Sequence, residues 1–291
     1  MRSTPVIPPF GAQTLVMGIL NITPDSFSGD GLLVKSDPVQ AAMEQARQFV
    51  MDGAHILDIG GESTRPGSQP VTADEELSRV LPVVSALSKE FPGTILSVDT
   101  YKARVAEEVL KSGAHWINDV WGLRADPVLA EVVAGYQAYI VLMHNRSKPG
   151  NVELSASLGG HYVGAHYDNL ITEVCAELLG TVDLARQAGI PDEHIILDPG
   201  IGFGKTIEQN LYLLNHLDEI CSLGFPVLLG ASRKSFIGYT LDLPPEERLE
   251  GSLAAGAVGI MRGASILRVH DVKETVRLAK MVDAILRADR S

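Results

Sequence analysis

Cysteine is scarce in this chain, since only Cys175 and Cys221 occur among its 291 residues. Two cysteines cannot build a disulfide framework, and so low a content is typical of a reducing compartment. The sequence also lacks the C-x-x-C and H-E-x-x-H spacings, so the common structural and catalytic zinc sites are not expected.

Long apolar runs and excess positive charge are missing as well. No run approaches the ~20 apolar residues that a membrane-spanning helix needs, and the first 13 residues lack the apolar segment of a secretory signal. The chain has 24 basic and 36 acidic residues, a net charge of −12, which opposes binding to nucleic acid or to an anionic membrane. We therefore expect a cytoplasmic protein without membrane or nucleic-acid partners.

Eight short apolar runs recur along the chain, with helical patterns between them. Each is rich in Val, Ile or Leu without strict alternation, which is typical of parallel strands covered on both faces. Eight β–α units in 291 residues match an α/β fold of the (β/α)8 TIM barrel type, predicted as one domain over residues 1–291 with an N-terminal extension of about 13 residues. An open doubly wound sheet is the alternative, although nothing marks a reversal of strand order. The runs are TLVMGILN, HILDIG, TILSVDT, HWINDV, AYIVLMH, HIILDPG, PVLLGAS and SILRVHD.

The helical patterns are clearest where their ends are marked. Residues 73–91 begin with acidic side chains and carry an apolar stripe of 3.6-residue period, which predicts a helix. Gly113 is the predicted stop of the next helix, and the first helix is predicted to start near Pro38. The glycines of GIGFG, residues 200–204, are spaced as GxGxG rather than GxGxxG, so they give little support to dinucleotide binding.

Three connections that follow strands are unusually long. About 2–6 residues are the norm, yet the first strand leads into NITPDSFSGDGLLVKSDP, residues 21–38, and the second into a 13-residue segment, Gly60–Thr72. Another long stretch follows the fifth strand. Loops of this length commonly carry function, so we predict long βα loops 1, 2 and 5 at one end of the barrel.

Every run carries a polar or ionisable residue at or near its carboxyl end, and active sites of such barrels lie at the carboxyl ends of the strands. Buried ionisable groups are costly unless they are paired or functional, so a ring of them predicts an active site. His55, His115 and His194 lie at the opposite strand ends and are predicted to be structural. The ring consists of Asn21, Asp58 with Glu62, Asp99, Asn118, His144, Asp198, Ser232 with Lys234, and Arg268 with His270.

The ring divides into two chemical groups. The first is a pair of carboxylates, an amide and an ammonium group, which together suit a flat heterocycle such as a nucleobase or a pterin. Met143 and Phe203 could cover its faces, although either residue suits a core role equally well. The second group comes from the first and last strands and suits a phosphate or diphosphate with an oxygen-ligated Mg²⁺. The first group is Asp99, Asn118, Asp198 and Lys234, and the second is Asn21, Arg268 and His270.

With these residues assembled, the sequence resembles the dihydropteroate synthase family. The matching segments occur in family order over nearly the whole chain, from about Val16 to the last helix. They are MGILNITPDSFS, DIGGESTRPG, SVDT, IND, LMH, DPGIGFGK, ASRKSFIG, GSLAA and RVHDVKET.

The resemblance implies an Mg²⁺-dependent enzyme that condenses 6-hydroxymethyl-7,8-dihydropterin diphosphate with 4-aminobenzoate and releases diphosphate. It also implies a homodimer and a target of sulfonamides, which resemble aminobenzoate. Pterin contacts would be Asp99, Asn118, Met143, Asp198, Phe203 and Lys234; diphosphate contacts Asn21, Arg268 and His270, with Asn21 on the metal; aminobenzoate contacts Phe27, Thr64, Arg65, Pro66 and Ser232; and the catalytic residues Asp99, Asp198, Lys234 and Arg268.

The implied chemistry gives the first long loop a role. Breaking the C–O bond of the pterin methylene leaves a cation that water would hydrolyse, so the loop is expected to be a lid that orders after diphosphate binds. Two segments depart from the family pattern: DSFSGDG leaves the roles of Asp25 and Asp30 open, and contacts from the loop after His144 cannot be carried over. A corrinoid-dependent pterin-binding methyltransferase and a non-catalytic pterin-binding paralogue are the alternatives.

Overall fold

The computed structural model describes residue 5 and residues 7–22, 37–63, 70–148, 151–155, 157–163 and 166–288. Within them, eight parallel strands form one sheet in the order β8–β5–β4–β3–β2–β1–β10–β9. These strands are β1 (Leu15–Asn21), β2 (Ile56–Gly60), β3 (Ile95–Asp99), β4 (Trp116–Asp119), β5 (Tyr139–Met143), β8 (Ile195–Asp198), β9 (Leu228–Leu229) and β10 (Ile266–Val269). An antiparallel hairpin, β6 (Val152–Ser155) and β7 (Gly159–Tyr162), lies outside that sheet.

The two ends of the sheet meet, which makes it a nearly closed barrel. Leu197 of β8 pairs with Val227, just before β9, in an isolated parallel bridge. The Leu197 amide donates to the Pro226 carbonyl at 2.9 Å. The predicted (β/α)8 TIM barrel is confirmed, with β8, β9 and β10 as its sixth, seventh and eighth strands.

The helices cover the outside of the barrel, and the predicted helix ends are confirmed. Asp37 caps the first helix ahead of Pro38, Thr72 accepts a hydrogen bond from the Glu75 amide, and Gly113 ends the third helix in the left-handed conformation. The helices are α1 (Pro38–Asp52), α2 (Ala73–Glu90), α3 (Ala103–Ser112), α4 (Leu129–Gly135), α5 (Leu170–Gln187), α6 (Ile207–Asn215), α7 (Leu217–Cys221), α8 (Ser235–Leu241), α9 (Leu249–Met261) and α10 (Val272–Ala288). Among the described residues, no helix is both long and apolar enough to cross a membrane.

Side chains alternate between the two faces of each strand, as the period of two requires. Outward residues such as Leu57 and Val98 join the large core beneath the helices. Inward residues near the strand starts form a second apolar cluster that fills the bottom of the barrel, including Leu15, Met17, Ile56, Ile95, Trp116, Val141, Ile196, Leu228 and Ile266. Two residues further along five of these strands, the inward positions are polar: Asp58, Ser97, Asn118, Asp198 and Arg268. The polar layer of the mouth therefore lies on an apolar floor.

The three histidines predicted to be structural have structural contacts at the bottom of the barrel. His55 Nδ1 accepts a hydrogen bond from the Val16 amide at 3.1 Å, and His115 Nδ1 accepts one from the Leu96 amide at 3.0 Å. His194 stacks on Tyr139, with ring centroids 4.3 Å apart. Burial lowers the pKa of both His55 and His115, so each imidazole stays neutral and remains an acceptor.

The long segment after β5 contains the β6–β7 hairpin, which the sequence analysis did not predict. Arg248 donates to the Leu158 carbonyl at 2.9 Å, and the Tyr239 hydroxyl donates to the Gly159 carbonyl at 3.2 Å. The hairpin turn is thus fastened to α8 and to the start of α9. Its sequence, VELSASLGGHY, is short and only weakly apolar, so its pattern did not distinguish a hairpin from a loop.

We expect His115→Ala to lower the free energy of unfolding by about 1–3 kcal/mol, because the Leu96 amide loses its buried acceptor. His115→Asn should lose less, since its amide oxygen can accept from the same donor. The folded pKa of His115 is below its unfolded value, so its contribution is complete above about pH 6.5 and declines as the pH falls, because only the unfolded chain takes up the proton. Both variants should therefore lose less stability than the parent between pH 7.5 and pH 5.5.

Urea unfolding at the two pH values measures this difference. His166→Ala is the matched control, because that side chain is 84% exposed. An unchanged pH dependence in both His115 variants would contradict the role of His115 as a buried neutral acceptor.

Candidate active site

Strand register places several predicted site residues at one height in the barrel mouth. Asn21 pairs with Gly60, Gly60 with Asp99, and Asp99 with Asn118. A methyl group on Gly60 would lie 3.5 Å from Asn21 Oδ1 and 3.7 Å from Asp99 Cβ. The backbone of Gly60, which has no side chain, therefore lies between Asn21, a predicted diphosphate contact, and Asp99, a predicted pterin contact.

Arg268 joins two buried carboxylates across the mouth. Its Nε donates to Asp58 Oδ2 at 2.6 Å, and its Nη2 donates to Asp99 Oδ2 at 2.7 Å. The Asn118 amide also donates to Asp58 Oδ2, at 3.3 Å. Arg268 was predicted among the diphosphate contacts, and the structure brings it against the predicted pterin contact Asp99. The two predicted groups thus meet at one guanidinium.

A second cluster forms where β5, β8 and β9 end. Asp198 Oδ1 accepts from the Gly200 amide at 2.7 Å, and a methyl group on Gly230 would lie 3.9 Å from both Asp198 Oδ2 and Lys234 Nζ. Lys234 Nζ donates to the Ile201 carbonyl and lies 4.5 Å from the ring centroid of Phe203. The structure brings these predicted pterin contacts together.

Met143 was open to either a core or a site role. It pairs with Asp198 in the sheet and is only 3% exposed, yet it belongs to neither of the two apolar core clusters. Its parity along β5 is that of the inward residue Val141. Met143 is therefore a buried apolar side chain of the mouth, beside the Asp198 cluster.

Ser232 and His270 are in direct contact. The backbone N–H of His270 donates to Ser232 Oγ at 3.2 Å, and Ser232 Oγ lies 3.1 Å from His270 Nδ1. The hydroxyl proton of Ser232 can therefore point to Nδ1, which leaves Nε2 of a neutral His270 protonated. Ser232 was predicted to contact aminobenzoate and His270 to contact diphosphate, and in the structure the two residues are neighbours.

Two further members of the sequence-derived ring have partners around the mouth. Glu62 binds Lys102 Nζ at 2.5 Å and accepts from the Tyr101 hydroxyl at 3.0 Å. The buried His144 contacts Lys205, which follows β8.

The charges of the mouth perturb one another strongly. Burial raises the pKa of Asp99 to about 7, with Arg268 opposing and Asp58 reinforcing the change. Burial also raises the pKa of Asp198, against the nearby ammonium group of Lys234. Burial lowers the pKa of Lys234 to about 8. Burial would lower the pKa of Arg268 too, but the carboxylates around it raise it, so the guanidinium stays charged.

The polar layer contains buried oxygen atoms that accept no hydrogen bond from the described residues. Asp58 Oδ1 and Ser97 Oγ are buried without a hydrogen-bond partner in the part of the chain that the structure describes. A ligand with N–H or O–H groups could satisfy such atoms, which otherwise carry a desolvation cost. Asp58 was recognised in the ring but not assigned a site role. Its inward parity, shared with Asn118 and Arg268, was the signal that could have identified it.

The described residues of the mouth offer few ligands for a magnesium ion. Within the described residues, no group of three or more His, Cys, Asp or Glu side chains could hold a metal. The Asn21 amide oxygen lies on the strand β1 side of the mouth, beside Gly60. Mg²⁺ commonly keeps several waters and shares substrate phosphates with few protein oxygens, so Asn21 fits a metal held mainly by diphosphate and water.

Some predicted site residues lie outside the described residues. They are Phe27 in the first long loop, Thr64, Arg65 and Pro66 in the second, and the two acidic residues left open, Asp25 and Asp30.

Comparison with known proteins is consistent with this site. A family model described as pterin binding enzyme matches residues 17–270. The chain is 50% identical to dihydropteroate synthase of Bacillus subtilis over 274 residues, 94% of this chain and 89% of that protein.

Two solved structures are also similar. A dihydropteroate synthase from Clostridium difficile, solved with pteroic acid, superposes with a TM-score of 0.87 at 45% identity and covers 97% of this chain and 100% of its own. A Yersinia pestis dihydropteroate synthase in complex with a sulfonamide drug has a TM-score of 0.85 at 42% identity and covers 95% of each chain. The chain belongs to the dihydropteroate synthase family of pterin-binding enzymes.

Proposed function

We propose that the barrel mouth is where this dihydropteroate synthase joins 6-hydroxymethyl-7,8-dihydropterin diphosphate to 4-aminobenzoate. The observation that carries the assignment is the convergence of Asp99, Asn118, Asp198 and Lys234 around Arg268, above an apolar floor. Of two similar enzymes, one was solved in the presence of pteroic acid and the other in complex with a sulfonamide drug. Pteroic acid contains both a pterin and an aminobenzoate group, so these ligands support the substrate assignment.

The pterin would occupy the deeper part of the mouth. Its amino group and ring N–H groups are donors that buried carboxylates require, and its ring carbonyl is an acceptor for an amide or an ammonium group. Asp99 and Asp198 would accept, and Asn118 and Lys234 would donate. Met143 and Phe203 would contact the faces of the ring, since Met143 pairs with Asp198 and the ring of Phe203 lies against Lys234.

The mouth favours a dissociative substitution. As the C–O bond to diphosphate breaks, positive charge develops on the pterin, and the carboxylates of Asp99 and Asp198 would stabilise it. Both are nearly buried, so water screens this stabilisation little. The arylamine of aminobenzoate then attacks the methylene carbon and loses a proton, so no protein nucleophile is required.

The leaving diphosphate would lie on the side of the mouth formed by β1 and β10. Arg268 and His270 would donate to its oxygens, and Asn21 would hold Mg²⁺ together with those oxygens. When bound, the metal supplies charge neutralisation to the departing diphosphate. Arg268 also pairs with Asp99, which places this side chain to contact both halves of the pterin substrate.

Aminobenzoate would bind at the rim, with Ser232 as its contact among the described residues. The Ser232–His270 contact links this rim to the diphosphate side. Phe27, Thr64, Arg65 and Pro66 remain assigned to aminobenzoate through the family resemblance. The methyltransferase alternative loses its support because the similar proteins are synthases, and the retained ionic groups oppose a non-catalytic paralogue.

We also propose a homodimer that uses the last two helices. Met261 of α9 and Met281 and Ile285 of α10 are more than half exposed, at 67%, 62% and 55%. Exposed apolar side chains on two packed helices are typical of an interface between subunits. We propose that the protein is located in the cytoplasm, which fits its low cysteine content.

We expect Asp99→Asn and Asp198→Asn each to lower kcat/KM at least tenfold. A hydrogen bond to a charged group is worth roughly 1.5–3 kcal/mol, and each substitution removes charge that faces the developing cation. The measurement is formation of dihydropteroate from the two substrates, with Asp168→Asn, 94% exposed, as the matched control. A folded Asp99 or Asp198 variant with near-normal kcat/KM would refute the pterin assignment.

Arg268→Lys is expected to weaken binding of the pterin diphosphate at least tenfold more than binding of the same pterin without diphosphate. The lysine keeps a positive charge near Asp58 and Asp99 but cannot form the paired N–H contacts of a guanidinium. Calorimetric Kd values for both ligands, with and without Mg²⁺, separate the two contributions. Equal losses for the two ligands would show that Arg268 serves the carboxylates alone, and diphosphate binding indifferent to chelation of the metal would refute the Mg²⁺ assignment.

Met261→Lys combined with Met281→Glu is expected to shift the chain from dimer to monomer. Both changes place charge in an interface that excludes water, which costs more than the lost apolar contact. Sedimentation velocity measures the mass, and Met51→Lys, an equally exposed methionine on α1, is the control. A parent protein that sediments as a monomer, or a double variant that stays dimeric, contradicts the proposed interface.

A further inference from the structure

Lys205 is a fully buried lysine that the reaction scheme does not use. It ends the segment DPGIGFGK, which follows β8, and it is only 1% exposed. Burying a charged group without partners is costly. The contacts of Lys205 therefore indicate why the chain keeps a lysine at this position.

The ammonium group of Lys205 has three acceptors for its three N–H bonds. Nζ lies 2.9 Å from His144 Nδ1, 3.0 Å from the Gly200 carbonyl and 3.1 Å from the Phe203 carbonyl. A neutral amine has only two N–H donors and would leave one acceptor unsatisfied. Burial lowers the pKa of Lys205 to about 7, with Asp198 opposing, but the three acceptors fit the charged form.

The loop that directly precedes Lys205 packs against the chain that follows β5. At two glycines of this loop there is no room for a side chain between the two backbones. Gly200 and Gly204 both have positive φ, 69° and 60°. A methyl group on Gly200 would fall 1.8 Å from the His144 carbonyl oxygen, and one on Gly204 would fall 2.5 Å from the Arg146 carbonyl carbon. Lys205 thus links the two backbone segments, because its acceptors are His144 on one segment and Gly200 and Phe203 on the other.

His144 is itself fixed for this contact. Its Nδ1 accepts from Lys205, so its proton is on Nε2, which lies 3.1 Å from Glu177 Oε2 on α5, although the two atoms are not aligned as a hydrogen bond. Arg146 holds Glu177 through a hydrogen bond of 2.7 Å from its Nε. Burial, with the neighbouring Lys205, lowers the pKa of His144 to about 4, so the imidazole stays neutral.

The loop held by Lys205 is the one that presents the pterin-facing groups of β8. Its Gly200 amide donates to Asp198 Oδ1 at 2.7 Å, and its Phe203 ring lies beneath Lys234. Lys234 donates to the Ile201 carbonyl of the same loop from the mouth side. The loop is therefore held by two lysines, by Lys234 from the mouth and by Lys205 from the side of the chain that follows β5.

We propose that Lys205 is a positioning residue for the pterin site: its ammonium group, held by His144, fixes the Gly200 and Phe203 carbonyls and thereby orients Asp198 and Phe203 toward the substrate. This inference rests on the proposed pterin site. Lys205 and His144 would thus contribute to pterin recognition without touching the substrate.

The test is Lys205→Met, which keeps the length of the side chain and removes its charge and donors. We expect the KM for the pterin diphosphate and the Kd for the dihydropterin to rise at least tenfold, while the KM for aminobenzoate stays within twofold. Asp283→Ala is the stability-matched control, because Asp283 accepts from the Thr14 amide and hydroxyl at the bottom of the barrel. It should lower the unfolding temperature without changing the Kd for the dihydropterin.

A second pair of variants keeps the test decisive if Lys205→Met does not fold. His144→Leu removes the acceptor and should raise the Kd for the dihydropterin, whereas His144→Gln supplies a carbonyl oxygen and should restore most of the binding. Unchanged pterin binding in Lys205→Met, or equal binding by the two His144 variants, would overturn the role of Lys205. Asp198→Asn measured in parallel separates the causes: if it weakens pterin binding and the Lys205 variant does not, only this inference fails, and if Asp198→Asn has no effect, both fail.

Discussion

The ion pair between Arg268 and two buried carboxylates is the interaction on which the polar mouth depends. Asp58 is fully buried and Asp99 nearly so, and without the guanidinium each would carry a large desolvation cost. Arg268 comes from the last strand, whereas its partners come from the second and third. The site can therefore assemble only when the end of the chain has closed the barrel, which couples substrate recognition to completion of the fold.

The sequence was sufficient to predict what depends on local pattern. Strand positions followed from apolar runs, and helix ends from Pro38, Gly113 and the acidic residues that begin 73–91. The face of the barrel that carries function followed from the polar residues near the ends of the runs. The ring residues were predicted from their places at the carboxyl ends of the strands, and the parity of each strand explains why several of them point inward. Asn118 and Asp198 are examples, since each lies two residues beyond an apolar floor residue of its own strand.

What could not be predicted depends on partners distant in the chain. Nothing in the local sequence shows that Arg268 would meet Asp58, 210 residues earlier, or that the side chain of Lys205 would contact His144 rather than enter the mouth. Lys205 and Lys234 are both lysines that follow short strands, and only tertiary packing distinguishes a side chain that faces the substrate from one that supports the loop. The β6–β7 hairpin was missed for a related reason, because Arg248 and Tyr239, far along the chain, hold it.

The alternation of floor and mouth residues along each strand also limits how such a chain can change its length. Deleting one residue within β10 would turn Val269 inward in place of Arg268 and would expose a charged group to the helix-covered face. The same deletion in the hairpin after β5 would leave the inward set intact. Insertions and deletions should therefore accumulate between strands and be excluded from within them, so the lengths of the strands are inherited with the chemistry while the lengths of the loops are free to diverge.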